Sequence, residues 1–205
     1  MAYIDETSKK NENRNYFSDF LKAISREGLF FWKAKRNIMS GIKSMSFYLV
    51  YISGFLDGDG SIYVRILPRE DYALKFQLVF TISFIQRTSR KHFLMKIKRE
   101  LGRGILRDRN DGISELNILG WQDVLHTLKL LTPFLRIKHK QAILMMKMIE
   151  QLPSTKESPL RFLDLCKLAD RVADLNDSKN RKTTSEIVRR KFLDLNWIIP
   201  EKTPL

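Results

Sequence analysis

A single cysteine, three histidines and no long uncharged apolar run set the first limits on this 205-residue chain. One cysteine excludes an internal disulfide and a Cys-rich zinc site. Cys166 lies in the apolar stretch Phe162–Leu168, the setting of a buried free thiol rather than a nucleophile. His92, His126 and His139 are scattered without metal-ligand spacing. Lacking a run of ~20 apolar residues, the chain is expected to have no membrane partner. Acids are the scarce charge, 23 Asp and Glu against 37 Lys and Arg, a net +14. Such an excess concentrates polyanions at the surface, and nucleic acid is the commonest of them; a merely basic surface would show the same number. Apolar residues are plentiful, at 43% with 13 Phe, enough for one domain with a real core, with or without appendages.

Residues 1–46 read differently from the rest. Met1–Asn15 has the polar composition of a poorly ordered tail. Tyr16–Ser46 carries Phe, Leu and Trp at loosely helical spacing, with nine basic and five acidic residues across 1–46. A transit peptide would be poor in acids, so a basic extension, partly disordered or helical, is the expectation. From Phe47 to Asp57 the text is almost continuously apolar, and Gly54 and Gly58 fall on one helical face. A helix apolar all round is expected to be buried all round.

Two hairpins follow. Ser61–Leu67 sets Ile62, Val64 and Ile66 against Tyr63, Arg65 and Leu67. After a polar connection, Phe76–Ile85 alternates cleanly, with Phe76, Leu78, Phe80, Ile82 and Phe84 on one face and Gln77, Val79, Thr81, Ser83 and Ile85 on the other. A basic helix is predicted over Arg87–Leu101. The second hairpin is Ile105–Arg109, a turn at Asn110–Gly112, and Ile113–Leu119. Helices are predicted over Trp121–Leu131, Lys138–Gln151, Pro159–Leu175 and Ser185–Leu195, with prolines at the boundaries. The order is helix, hairpin, helix, hairpin, helices: an α/β chain of the α+β kind.

The chemistry concentrates in Ile52–Ile62, an apolar helix ending in Asp57-Gly58-Asp59-Gly60. Carboxylates at a helix C-terminus face the negative end of the macrodipole, which is unfavourable unless a cation compensates. Asp59 as a hard oxygen ligand for Mg²⁺ resolves that conflict. A polar turn with Gly60 at positive φ would explain the same text. An EF-hand does not fit, because the Glu twelve residues after the first Asp is missing.

Ile52–Gly60 resembles the nine-residue signature of the LAGLIDADG homing endonucleases, in their single-motif form. Further blocks match in order: Gln86-Arg87-Thr88, Leu106-Arg107-Asp108-Arg109, Pro133-Phe134-Leu135, and Asn176-Asp177-Ser178-Lys179 through Thr184-Ser185-Glu186. The likeness runs from about Leu49 to about Leu195; the lead-in has no counterpart and the turn at Asn110–Gly112 is one residue longer. The resemblance implies an endonuclease domain over 47–197 and a tail over 198–205. It implies a homodimer in which two motif helices pack across a two-fold axis through Phe47, Val50, Gly54 and Gly58. Asp59, helped by the Gly58 carbonyl, would bind Mg²⁺, with Mn²⁺ substituting and Ca²⁺ binding without turnover. Gln86 would order the attacking water, while Arg90 and Lys138 stabilise phosphate charge; apart from the likeness, these are an ordinary strand end and ordinary basic residues.

The strand reading agrees with the DNA-binding saddle that the family implies. Its open face carries Tyr63, Arg65, Gln77, Thr81, Ser83, Arg107, Arg109, Glu115 and Asn117, the groups that read major-groove edges, with Val79 and Ile85 suited to thymine methyls. A solvated sheet face would carry similar residues. The loop with Lys179 and Lys182 suits phosphate contact, as would any plain basic loop. A ribbon of ~10 residues spans ~33 Å or roughly ten base pairs, so a dimer should read about twenty. Residues such as Arg65, Asp71 and Glu115 depart from the family's specificity pattern, so its target does not transfer. The reading is an intron-encoded endonuclease making a double-strand break in a long pseudo-palindromic DNA. It would work in an organelle, the chloroplast ahead of the mitochondrion. Alternatives are a maturase assisting group I splicing by binding intron RNA, and a non-catalytic DNA-binding regulator; Asp59, Gln86, Arg90 and Lys138 favour cleavage over both.

Overall fold

Hydrophobic alternation becomes sheet and core in a computed structural model that describes residues 47–155, 158–177 and 181–199. The predicted lead-in and the last six residues lie outside these. Helix α1 covers residues 47–59 and runs directly into β1 (Gly60–Pro68). Gly60 permits that abrupt change by its lack of a side chain: a Cβ there would sit 2.5 Å from Leu56 Cδ1 and 2.9 Å from Leu56 Cα. Its φ is not in the left-handed region, so close approach and not backbone strain is what requires the glycine.

Strand β1 pairs antiparallel with β2 (Phe76–Arg87), with Gly60 opposite Phe84 and Pro68 opposite Phe76. Strands β3 (Ile105–Asp108) and β4 (Ile113–Leu119) complete an antiparallel sheet of order β1-β2-β4-β3. The predicted helix over Arg87–Leu101 starts later than expected. Gln86 and Arg87 stay in the ladder opposite Ser114 and Ile113, and a 3₁₀ turn over Thr88–Arg90 precedes α2 (Lys91–Leu101). Sheet hydrogen bonds hold Arg87 extended where local pattern suggested helix. Gly102, at φ 67°, caps α2 in the left-handed conformation. The remaining helices are α3 (Trp121–Leu131), α4 (His139–Gln151), α5 (Pro159–Asp174) and α6 (Ser185–Asp194).

One sheet face builds the core. Ile62, Val64, Ile66, Phe76, Leu78, Phe80, Ile82, Phe84, Leu116 and Ile118 are buried with Leu94, Ile97, Val124, Leu128, Met145 and Phe192 from the helices. Each fully buried large side chain contributes roughly 1.5–3 kcal/mol. Helix α1 is fixed by Phe55, which stacks on Phe84 at 6.1 Å and meets Phe93 edge-on at 4.8 Å. The Ser53 hydroxyl also donates to the Leu131 carbonyl at 3.1 Å. Burial of α1 is one-sided, contrary to the expectation from its composition. Ile52, Ser53, Leu56 and Asp57 are covered, while Phe47 (66% exposed), Val50 (46%), Tyr51, Gly54 and Gly58 face outward. Only one side of α1 meets the sheet and its helices. Cys166 is buried, and desolvation pushes its thiol well above the usual range. Among the described residues no helix is long and apolar enough to cross a membrane.

Candidate active site and nucleic-acid interface

The two acids at the end of α1 meet different surroundings. Asp57 is buried, and its carboxylate accepts three backbone N–H groups: Arg136 at 2.6 Å and Ile137 at 3.2 Å on Oδ2, Lys138 at 2.9 Å on Oδ1. These groups precede α4, so the positive end of that helix compensates one carboxylate without a metal. Asp59, two residues on, is exposed and makes no hydrogen bond or ion pair to a described residue. The last carbonyls of α1, Gly58 among them, lack helical partners. Asp59 and the Gly58 carbonyl are therefore open hard-oxygen donors of the kind Mg²⁺ takes. A Cβ at Gly58 would meet nothing within 4 Å, so the space beside this glycine is open. Among the described residues no group of three or more His, Cys, Asp or Glu gathers as a ligand set, so a chain alone offers one carboxylate and a carbonyl.

Lys138 is the N-cap of α4 rather than its first helical residue, and its N–H donates to Asp57. Its ammonium donates to the Asp57 carbonyl in the last turn of α1. Gln86 lies two residues beyond Phe84, the partner of Gly60, which brings it to the Asp59 end of the sheet. Its Oε1 accepts from the Arg87 N–H at 3.2 Å. Arg90 closes the 3₁₀ turn before α2 and is exposed. Asp59, Gln86 and Lys138 thus come to one end of the sheet from α1, β2 and the α4 cap.

On the sheet's open face, Arg65 is exposed with its guanidinium 5.8 Å from the Tyr63 ring centroid, while Tyr63, Gln77, Val79, Ile85 and Asn117 are half-buried. Thr81 and Ser83 share the face yet are 0% and 4% exposed. Both are short side chains on a central strand; Thr81 stands between Tyr63 and Leu119, and Ser83 between Ser61 and Asn117. The expectation that these two side chains stand open on this face is corrected: their longer neighbours present the surface there. The arginines are also less independent than the sequence suggested. Glu115, only 14% exposed, pairs with Arg109 at 2.8 Å and Arg107 at 3.5 Å, and Arg109 pairs with Asp111 at 2.6 Å. Asn117 donates at 3.3 Å to Glu115 Oε2, the oxygen that also faces Arg107. Glu115 is thereby an organiser of two guanidinium groups. Lys182 is exposed, and Lys179 lies outside the described residues.

Sequence reasoning missed two features. The turn between β1 and β2, where sequence reasoning singles out Asp71 alone, carries Arg69. It is paired with Asp71 at 2.7 Å, bonded to Gln77 at 3.3 Å and stacked over Tyr72 at 4.8 Å. The hydrogen bonds from Arg69 lower the Asp71 carboxyl to about 2. An Arg-x-Asp spacing beside Tyr was the available signal. Ile105, 62% exposed beside Asn117, adds an apolar group to the same face.

The family model for LAGLIDADG endonucleases matches residues 52–142. DNA endonuclease I-CreI of Chlamydomonas reinhardtii is 49% identical over 142 residues, 69% of this chain and 86% of that protein. DNA endonuclease I-CvuI of Chlorella vulgaris is 38% identical over 149 residues, 73% and 92% of the two chains. A crystal structure of I-CvuI with the I-CreI target and 2 mM Mg, its DNA not cleaved, superposes with a TM-score of 0.73 at 36% identity, covering 76% of this chain and 99% of that one. The archaeal intron-encoded homing endonuclease I-Vdi141I, complexed with DNA, has the same fold at 20% identity, with a TM-score of 0.66 over 73% and 97% of the chains.

Proposed function

The chain belongs to the LAGLIDADG family of homing endonucleases, and from that premise we propose that two copies bind one long, nearly palindromic DNA site and cut both strands with Mg²⁺. The observation that carries this reading is the outward face of α1. Phe47, Val50, Gly54 and Gly58 stand exposed, a Cβ at either glycine would meet nothing within 4 Å, and the helix ends in the uncommitted Asp59. A second α1 packed there would bury the apolar face and bring two Asp59 carboxylates together, supplying the charge that one chain lacks.

In this reading the sheet faces the duplex. Arg65, Arg107, Arg109 and Gln77 meet base edges, with Tyr63, Val79, Ile85 and Asn117 beside them, and Lys179 and Lys182 meet phosphates. Asp59 and the Gly58 carbonyl hold the cation. Mg²⁺, when bound, supplies a Lewis acid for the scissile phosphate and acidifies water. Lys138 and Arg90 offset the charge that grows on the phosphate, and Gln86 orients the attacking water by hydrogen bonding. Ca²⁺ supports binding without turnover; I-CvuI was crystallised with its target in the presence of 2 mM Ca. Residues 47–197 form the endonuclease unit, with 1–46 and 198–205 as appendages. The green-algal relatives support an intron-encoded enzyme of an organelle, the chloroplast first. The maturase reading has no supporting observation, since both curated relatives are named DNA endonucleases.

Asp59→Asn tests the site. It keeps size and removes charge, so cleavage in Mg²⁺ should vanish while target affinity in Ca²⁺ stays within a few fold. Cleavage by the variant at the wild-type rate would overturn the assignment of Asp59.

A further inference from the structure

Asp59 and Lys138 lie on separate elements, and one residue ties them together. Asp57 sits two positions before Asp59 on α1, and its carboxylate accepts the N–H groups of Arg136, Ile137 and Lys138. In return the Lys138 ammonium donates to the Asp57 carbonyl. The contact is thus reciprocal, main chain of one to side chain of the other in both directions, across 81 positions of sequence. Each half answers a need of a helix end. Three successive N–H groups before α4 make a concavity that favours an anion. The last carbonyls of α1 lack helical partners and favour a cation. Neither Ser53 to Leu131 nor Phe55 to Phe93 reaches the segment that carries Lys138.

We propose that Asp57 is a positioning residue for the cleavage reaction: it holds the backbone of 136–138 and the Lys138 ammonium in place beside Asp59, and acts through Lys138 rather than on the DNA. This rests on the proposed role of Lys138. Asp57→Asn keeps the volume but turns an NH₂ toward N–H donors, so at least one of the three bonds is lost and the loop carrying Lys138 loosens. Binding of the target does not pass through this contact, and neither does the outward face of α1.

The test is a double-mutant cycle on the full chain, reading single-turnover cleavage in Mg²⁺ and target affinity in Ca²⁺ separately. Lys138→Ala and Asp57→Asn should each lower the cleavage rate by about 10²-fold, with affinity in Ca²⁺ changed less than about threefold. The double variant should fall no more than about threefold below Lys138→Ala, because residues acting as a unit are not additive. Losses that multiply to about 10⁴-fold, as independent effects do, overturn the proposal. So does loss of Ca²⁺-supported binding in proportion to rate. Full activity of Lys138→Ala would instead overturn the assignment of Lys138, a separate failure. If Asp57→Asn does not fold, the cycle uses Asp57→Ser, whose hydroxyl accepts one N–H. Should neither give a protein that binds target, Asp57 serves stability alone and the proposal fails.

Discussion

At the residue scale the same side-chain type acquires different work from its neighbours. Asp57 and Asp59 are two residues apart, yet one is saturated by backbone donors and the other is open. No local pattern could have told them apart, because the donors come from 136–138. The alternation of β2 was legible and correct in face, whereas the burial of Thr81 and Ser83 was not, since cover depends on cross-strand neighbours. In the proposed function, Arg107 and Lys182 separate reading from holding. Arg107→Ala leaves Glu115 paired with Arg109 at 2.8 Å, so no buried charge is orphaned and folding should be untouched. It should cost ~1–3 kcal/mol at particular base pairs, in both half-sites alike. Lys182→Ala should weaken all sites evenly and reduce the salt slope by about one counterion. Cleavage profiling on a randomised site library at two salt concentrations checks both; the reverse pattern would exchange the two assignments.

At the scale of the element, the proposed assembly turns on α1. Its sequence reads as buried on every side, and the single chain covers only one; in the proposed dimer a partner would cover the rest. Gly54 makes the point measurable. A Cβ there meets nothing within 4 Å of its own chain, so Gly54→Leu should not crowd the lone subunit, and it raises helix propensity by roughly 1 kcal/mol. Two helices crossing at Gly54 would be forced apart. Sedimentation should show monomers with an unchanged circular dichroism spectrum and no double-strand cleavage. An intact, active dimer would overturn the helix-interface reading. Element boundaries were the less legible part: β2 runs past its predicted end because Gln86 and Arg87 keep partners on β4, a tertiary effect that no window of sequence contains.

At the scale of the whole molecule, a net +14 and an arginine-bearing open sheet face fit a polyanion, and the placement of one Asp59 per chain fits a two-fold cut. Fold and family were legible because five motif blocks keep their order along the chain; the ion-pair organisation around Glu115 and the Asp57 contact became visible only in three dimensions. The central claim is that each copy supplies half of one catalytic centre. Mixed dimers of wild-type and Asp59→Asn chains, made by co-refolding at set ratios, test it most directly on a supercoiled plasmid carrying the target. Linearisation should follow the square of the wild-type fraction, since only dimers with two Asp59 carboxylates break both strands. A yield that rises in simple proportion to the wild-type fraction, as for chains acting alone, or faster than that, as when one Asp59 per dimer is enough, would contradict the account.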